Sequence, residues 1–248
     1  MDLSSLLHKY HEAVLISYLI VFFYYFFNIS IVELYSIVYN ITMENLNSNY
    51  IDSYINLQGL LSQQVNNQCN DDFLSFVRLM APSIVSDFRM GRHIEVISEK
   101  LQQVENGELK RLMVFLPPRS SKSVVCSKLF PAWYIGRNPE HELLTISHSD
   151  QLASDFGRSV RDIVNTEEFS KVFRGVALRS DVRAAGKWKT NHNGTYYAAG
   201  VRSQIAGRGA HVAILDDAMS EEDAISSAGR RFIKEWYPAG LRTRIMPD

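Results

Sequence analysis

The chain has 248 residues, enough for one substantial α/β core with an appendage and too few for two large domains. Its 26 Lys and Arg against 27 Asp and Glu leave a net charge of -1, which excludes a globally basic nucleic-acid binder and confines any such contact to a local patch. Cys69 and Cys126 lack the paired spacing of a metal site or a disulfide framework, so a reducing compartment is expected.

Residues 13–32, AVLISYLIVFFYYFFNISIV, form an uncharged run of 20 residues, about the length that crosses a bilayer. Only Lys9 lies nearby as a flanking cation, and no small-residue cleavage site follows. The preferred reading is a start assigned too far upstream, with Met43 as a second start, or a poorly structured leader; a membrane anchor and a buried helix are the alternatives. Residues 45–71, rich in Asn, Ser and Gln without an apolar period, read as a linker or loose helix. The expected organisation is therefore a leader and linker over 1–71 and a folded domain over 72–248.

From Asp72 the pattern turns helical. Phe73, Phe76, Val77 and Met80 mark one amphipathic helix, and Ile94, Ile97, Leu101 and Val104 a second that ends at Gly107. Residues 111–116, RLMVFL, read as a buried strand that breaks at Pro117–Pro118, and VVCSKLF as a helix truncated or kinked at Pro131. Residues 142–147, ELLTIS, predict a strand, followed by a helix capped at Ser149 or Asp150 with Leu152, Phe156, Val160 and Ile163 on one face. Residues 195–199 and 212–215 supply two more strands, the last ending in Asp216–Asp217. Alternating strands and helices favour a mainly parallel sheet flanked by helices, preceded by an N-terminal helical region.

A phosphate-binding loop needs a strand, a tight turn whose amides converge on an anion, a lysine, and a Ser or Thr opening a helix. Residues 116–123, LPPRSSKS, have that order without its glycines: Lys122 would meet the β- and γ-phosphates, Ser123 would ligate Mg2+, and the amides of Ser120, Ser121, Lys122 and Ser123 would cradle the anion. If Ser121 must take a positive φ, the missing glycine costs on the order of 1 kcal/mol. VAILDD, ending in Asp216 and Asp217, supplies the second half: Asp216 to serve the metal and Asp217 to orient or deprotonate the attacking water. An ordinary strand-to-helix turn and a solvated acidic turn are the bland alternatives for the two segments.

These residues carry a family resemblance. GELKRL at 107–112, PPR at 117–119 and KS at 122–123 resemble the large terminases of tailed phages, as do FPAWYIGRNP at 130–139 and SDQLASDFGRSVRDI at 149–163. GTYYAAGVRSQIAGRGAHVAILDD at 194–217 and EWYPAGLRTRI at 235–245 extend the resemblance to roughly residues 88–245. It implies a P-loop NTPase fold and an ATP- and Mg2+-dependent motor that packages double-stranded DNA into the procapsid. Such a motor works as a homo-oligomeric ring on the portal protein with a small terminase subunit, in the host cytoplasm and not in the mature virion. Arg119 matches an arginine that terminases carry inside the loop, where a forked guanidinium suits a γ-phosphate in cis. Arg208, between Gly207 and Gly209, is the expected arginine finger in trans, with Arg202 as its competitor. His93 is a loose match to the adenine contacts upstream of the loop. The resemblance further implies that a coupling strand and a nuclease domain of ribonuclease-H type follow residue 245, so the ATPase domain is expected to be incomplete at its C-terminus and nuclease activity is not expected.

Between residues 171 and 211 stand eight cations, Lys171, Arg174, Arg179, Arg183, Lys187, Lys189, Arg202 and Arg208, against Asp181 alone. Such a stretch can follow a phosphate backbone without reading bases, or can be a solvated face. Competing functions are another P-loop nucleic-acid translocase, and a non-hydrolysing remnant that binds DNA or a partner.

Overall fold

The computed structural model describes residues 48–246. The chain divides into two compact units, 1–61 and 62–248. Of the first, the described part is residues 48–61, the opening of helix α1 (Ser48–Asp71). The segment expected to be a linker or loose helix is thus a continuous helix of 24 residues. The apolar run at 13–32 lies outside the described residues. Among those described, no helix is long and apolar enough to cross a membrane.

In the second unit, α2 (Phe73–Ile84) starts where the Asp72 carboxylate accepts the Ser75 amide at 2.7 Å. Its apolar face, Phe73, Phe76, Val77 and Met80, is buried against α3 (Arg92–Glu105), which contributes Ile94, Ile97 and Leu101. Gly107 ends α3 with φ 76°, the left-handed conformation that a helix C-terminus assigns to glycine. Residues 111–116 differ from expectation. Leu112, Val114 and Leu116 pack on the core and Met113 and Phe115 are exposed by 76% and 86%, but among the described residues the segment joins no strand. The alternation that reads as a strand records side-chain burial, whereas a strand also needs a backbone partner.

The helix after the loop does not break at Pro131. It widens into a π-helix (Val124–Leu129) and continues as α4 (Phe130–Arg137) with the proline in its first turn. The wider turn relieves the clash between a proline ring and the preceding carbonyls. Pro238 sits in a second π-helix (Tyr237–Leu241). Trp133 of α4 donates to the Cys69 carbonyl at 3.0 Å and Arg137 pairs with Glu105 at 2.9 Å, tying α4 to α3 and to the end of α1.

The strands are β1 (Glu142–Ser147), β2 (Leu178–Ala184), β3 (Lys187–Thr190), β4 (Thr195–Gly200) and β5 (Val212–Leu215), in spatial order β2-β3-β4-β1-β5. β1 pairs parallel with β4 and β5, while β3 pairs antiparallel with β2 and β4, so the sheet is mixed and not mainly parallel. A two-residue turn, Ala185–Gly186, makes the β2–β3 hairpin. Residues 143–147 of β1 are buried throughout, as a central strand covered on both faces requires.

One face carries Leu143, Trp188, Tyr196 and Ala198 under α2, α3, α4, α5 (Asp150–Val164) and α6 (Glu167–Val172). Ser149 caps α5, and Gly157 on that helix meets the Ala185 carbonyl so closely that a Cβ would collide with it. Trp188, stacked on Tyr196 with centroids 4.9 Å apart, donates to the Gly157 carbonyl at 3.1 Å. The other face holds Leu144, Ile146 and Ala199 against the second π-helix and α8 (Ser227–Trp236), which follows the short α7 (Glu221–Ile225). At residue 245 the chain returns beside β5: the Ala210 amide donates to the Arg244 carbonyl, and the Met246 amide to the Ala210 carbonyl, both at 2.9 Å.

Candidate functional site

The loop at 117–123 turns through two left-handed residues, Arg119 at φ 62° and Ser121 at φ 61°. A Cβ in this region costs about 1–2 kcal/mol per residue, so the backbone shape is imposed here without the glycines that would adopt it freely. The Ser120 hydroxyl donates to the Pro117 carbonyl at 2.7 Å and closes the turn. The helix then begins, with the Val125 amide bonding the Ser121 carbonyl at 3.0 Å. Among the described residues, the amides of Ser120, Ser121, Lys122 and Ser123 make no turn or loop bond to a backbone carbonyl. Free amides at a helix N-terminus, reached through left-handed turns, form an anion-binding concavity.

β5 brings the acids to this loop. Lys122 Nζ lies 3.1 Å from Asp216 Oδ1 and 4.0 Å from Asp217 Oδ1. Asp216 is buried and Asp217 exposed. Burial pushes the Asp216 carboxyl up, but hydrogen bonds from Ser127, Ser123 and Lys122, with the lysine's charge, reverse this and hold it below the ordinary value of 3.8. Burial likewise pulls the Lys122 ammonium down, and its bond to Asp216 and the two carboxylates more than restore it, to above 10.5. Asp217 has φ 48°, a conformation that Asp and Asn tolerate better than most residues. Its carbonyl accepts the His148 amide at 2.8 Å, which fixes the acidic turn to the end of β1.

Ser127, which sequence reasoning passed over, donates to Asp216 Oδ2 at 2.7 Å inside the core. Ser127 follows Ser123 by one turn on the same face, a spacing that carries no signal until the carboxylate beside it is placed. Half-buried Cys126 also lies beside Asp216 and Lys122; burial and then the Asp216 charge push its thiol up to about 12, which removes it as a nucleophile.

The other expected residues fall in different places. Arg119 is exposed on the loop itself. His93 is exposed in the first turn of α3, a helix that packs against the π-helix following the loop. Arg202 is engaged within the fold, pairing with Asp223 at 2.8 Å with its guanidinium 4.5 Å from the Phe232 ring centroid. Arg208 lies beyond the N-terminal end of β5, its guanidinium 4.6 Å from the Tyr197 centroid. The length of β5, on the order of 13 Å, separates it from Asp216, so it does not reach the loop of its own chain.

Mg2+ prefers hard oxygen ligands and keeps several waters, binding through one or two protein groups plus substrate phosphates. The Ser123 hydroxyl and the Asp216 carboxylate, close enough for the hydroxyl to help hold the carboxyl ionised, are such a pair. Among the described residues no cluster of three or more His, Cys, Asp or Glu is arranged to hold a metal by itself. Comparison with protein-family models and with curated proteins gives no match.

Proposed function

We propose that this chain is the ATP-hydrolysing motor part of a phage large terminase, built on a P-loop NTPase fold and using Mg2+, that drives double-stranded DNA into the procapsid. The observation that carries the reading is Lys122 held between Asp216 and Asp217 at the mouth of a loop with free amides. A surface turn does not require a buried carboxylate, three hydrogen-bond donors to it and two left-handed residues in one place. The ring on the portal, the small terminase subunit and the host cytoplasm follow from the family resemblance.

In this reading the loop amides and Lys122 bind the phosphates, Lys122 exchanging its carboxylate partners for phosphate oxygens. Ser123 and Asp216 would hold Mg2+, which supplies charge neutralisation at the β- and γ-phosphate oxygens when bound. Ser127 keeps the Asp216 carboxylate oriented and ionised. Asp217, exposed and within reach of Lys122, orients the attacking water. Arg119 contacts the γ-phosphate in cis, and Arg208 serves a neighbouring subunit's nucleotide. His93 stands near the adenine end.

Asp217→Asn separates binding from hydrolysis, because asparagine tolerates the same backbone angle. Mg-ATP affinity is expected within about threefold of the parent while DNA-stimulated turnover falls by 10²-fold or more, the usual weight of a positioned acid–base group. Turnover equal to the parent's would remove Asp217 from the mechanism.

A further inference from the structure

The eight cations between residues 171 and 211 do not form one surface. Lys171 pairs with Glu167 at 2.8 Å, Arg179 with Asp181, and Arg202 with Asp223. Arg183 bonds the Asn165 side chain at 3.4 Å on the far side of the hairpin. Arg174, Lys187, Lys189 and Arg208 form no ion pair among the described residues; the last three converge, with Lys189 also near enough to Asp181 to lower its carboxyl.

The strand register explains the convergence. Lys187 stands opposite Tyr197 and Lys189 opposite Thr195. Cross-strand partners share a face and alternate residues return to it, so all four point to the side away from Trp188 and Tyr196. Arg208 lies over the Tyr197 ring on that side. Together they line a cavity of about 120 Å³, with Glu142 as its carboxylate. Three cations against one acid, with a Thr hydroxyl and an aromatic floor, make a concave cationic seat in a chain whose net charge is -1.

We propose that this seat binds backbone phosphates of DNA, at the opposite end of the sheet from the nucleotide loop. The two lysine ammoniums supply point donors to phosphate oxygens, with no base edge being read, while Arg208 over the Tyr197 ring forms the rim of the seat. The choice of DNA as the polyanion rests on the proposed motor function; the seat itself does not.

The test uses the full chain without nucleotide and a fluorescent 20-base-pair duplex, so that loss of the nucleotide loop cannot mimic loss of the seat. Lys187→Gln with Lys189→Gln is expected to weaken binding at least tenfold. It should also reduce the slope of log K against log salt by about 2, close to 0.9 per cation removed. Lys171→Gln with Arg179→Gln should change neither. On the unaltered protein, duplex should shield Lys187 and Lys189 from a lysine-acetylating reagent while leaving Lys171 reactive, a readout that no folding defect can distort. No duplex binding, an unchanged salt slope in the double variant, or equal shielding of Lys171 would each overturn the proposal. So would the same shielding by inorganic phosphate at matched ionic strength, which would make this a free-phosphate site.

Discussion

Ser121 holds a left-handed φ of 61° with a side chain that disfavours it. Ser121→Gly removes the strain but loosens the unfolded chain, which returns about 0.4–1 kcal/mol. The variant is expected to be equally stable or up to about 1 kcal/mol more stable in urea unfolding, with Mg-ATP affinity equal or better. A marked loss of affinity would show that the serine side chain has a task of its own. At the neighbouring pair the sign of the pH dependence follows from the shifts. Asp216 is held below 3.8, so its contribution is present above that value and disappears as pH falls through the lower folded value. Lys122 is held above 10.5, so its contribution is present below that value and disappears as pH rises past the folded one. Asp216→Asn should therefore flatten the acid limb of stability against pH below about 4, where the parent falls more steeply. Parallel acid limbs in the two proteins would contradict the ionised, hydrogen-bonded Asp216.

Among the elements, the segment 111–116 separates burial from pairing. Val114→Ala is expected to cost about 1 kcal/mol, the share of a half-buried side chain, while Met113→Glu and Phe115→Glu should each stay within about 0.5 kcal/mol because both side chains face solvent. Equal destabilisation by the glutamates would show a covered outer face. The same segment marks the limit of what could be read from the residues. β1 and β5 were legible because each is a short apolar run, broken in β1 only by Thr145, that leads into a capped helix or an acidic turn, and α5 because Ser149 precedes a clean helical period. The β2–β3 hairpin was missed: its residues are basic and half exposed, and Ala185–Gly186 was the available cue. Parallel pairing was over-extended because alternation of strands and helices says nothing about an inserted hairpin. The pairing of Lys122 with Asp216 was legible through motif order, whereas Ser127 was not, because a buried serine on a helix gives no signal until the carboxylate beside it is placed.

At the scale of the second unit, one sheet separates the loop proposed to bind nucleotide from the cavity proposed to bind backbone phosphates. The C-terminal ends of β1 and β5 meet the loop at 117–123, and the N-terminal ends of β1 and β4 meet the cavity under Arg208. β1 spans the distance between the two. The central claim is that the loop binds nucleotide, and titration of Mg-ATP into the full chain and into Lys122→Ala measures it directly. Saturable, Mg2+-dependent binding by the parent and a loss of roughly 30- to 150-fold in the variant are expected, since a half-buried charge contact to phosphate is worth about 2–3 kcal/mol. Equal affinity in both proteins, or no binding by the parent, would contradict it.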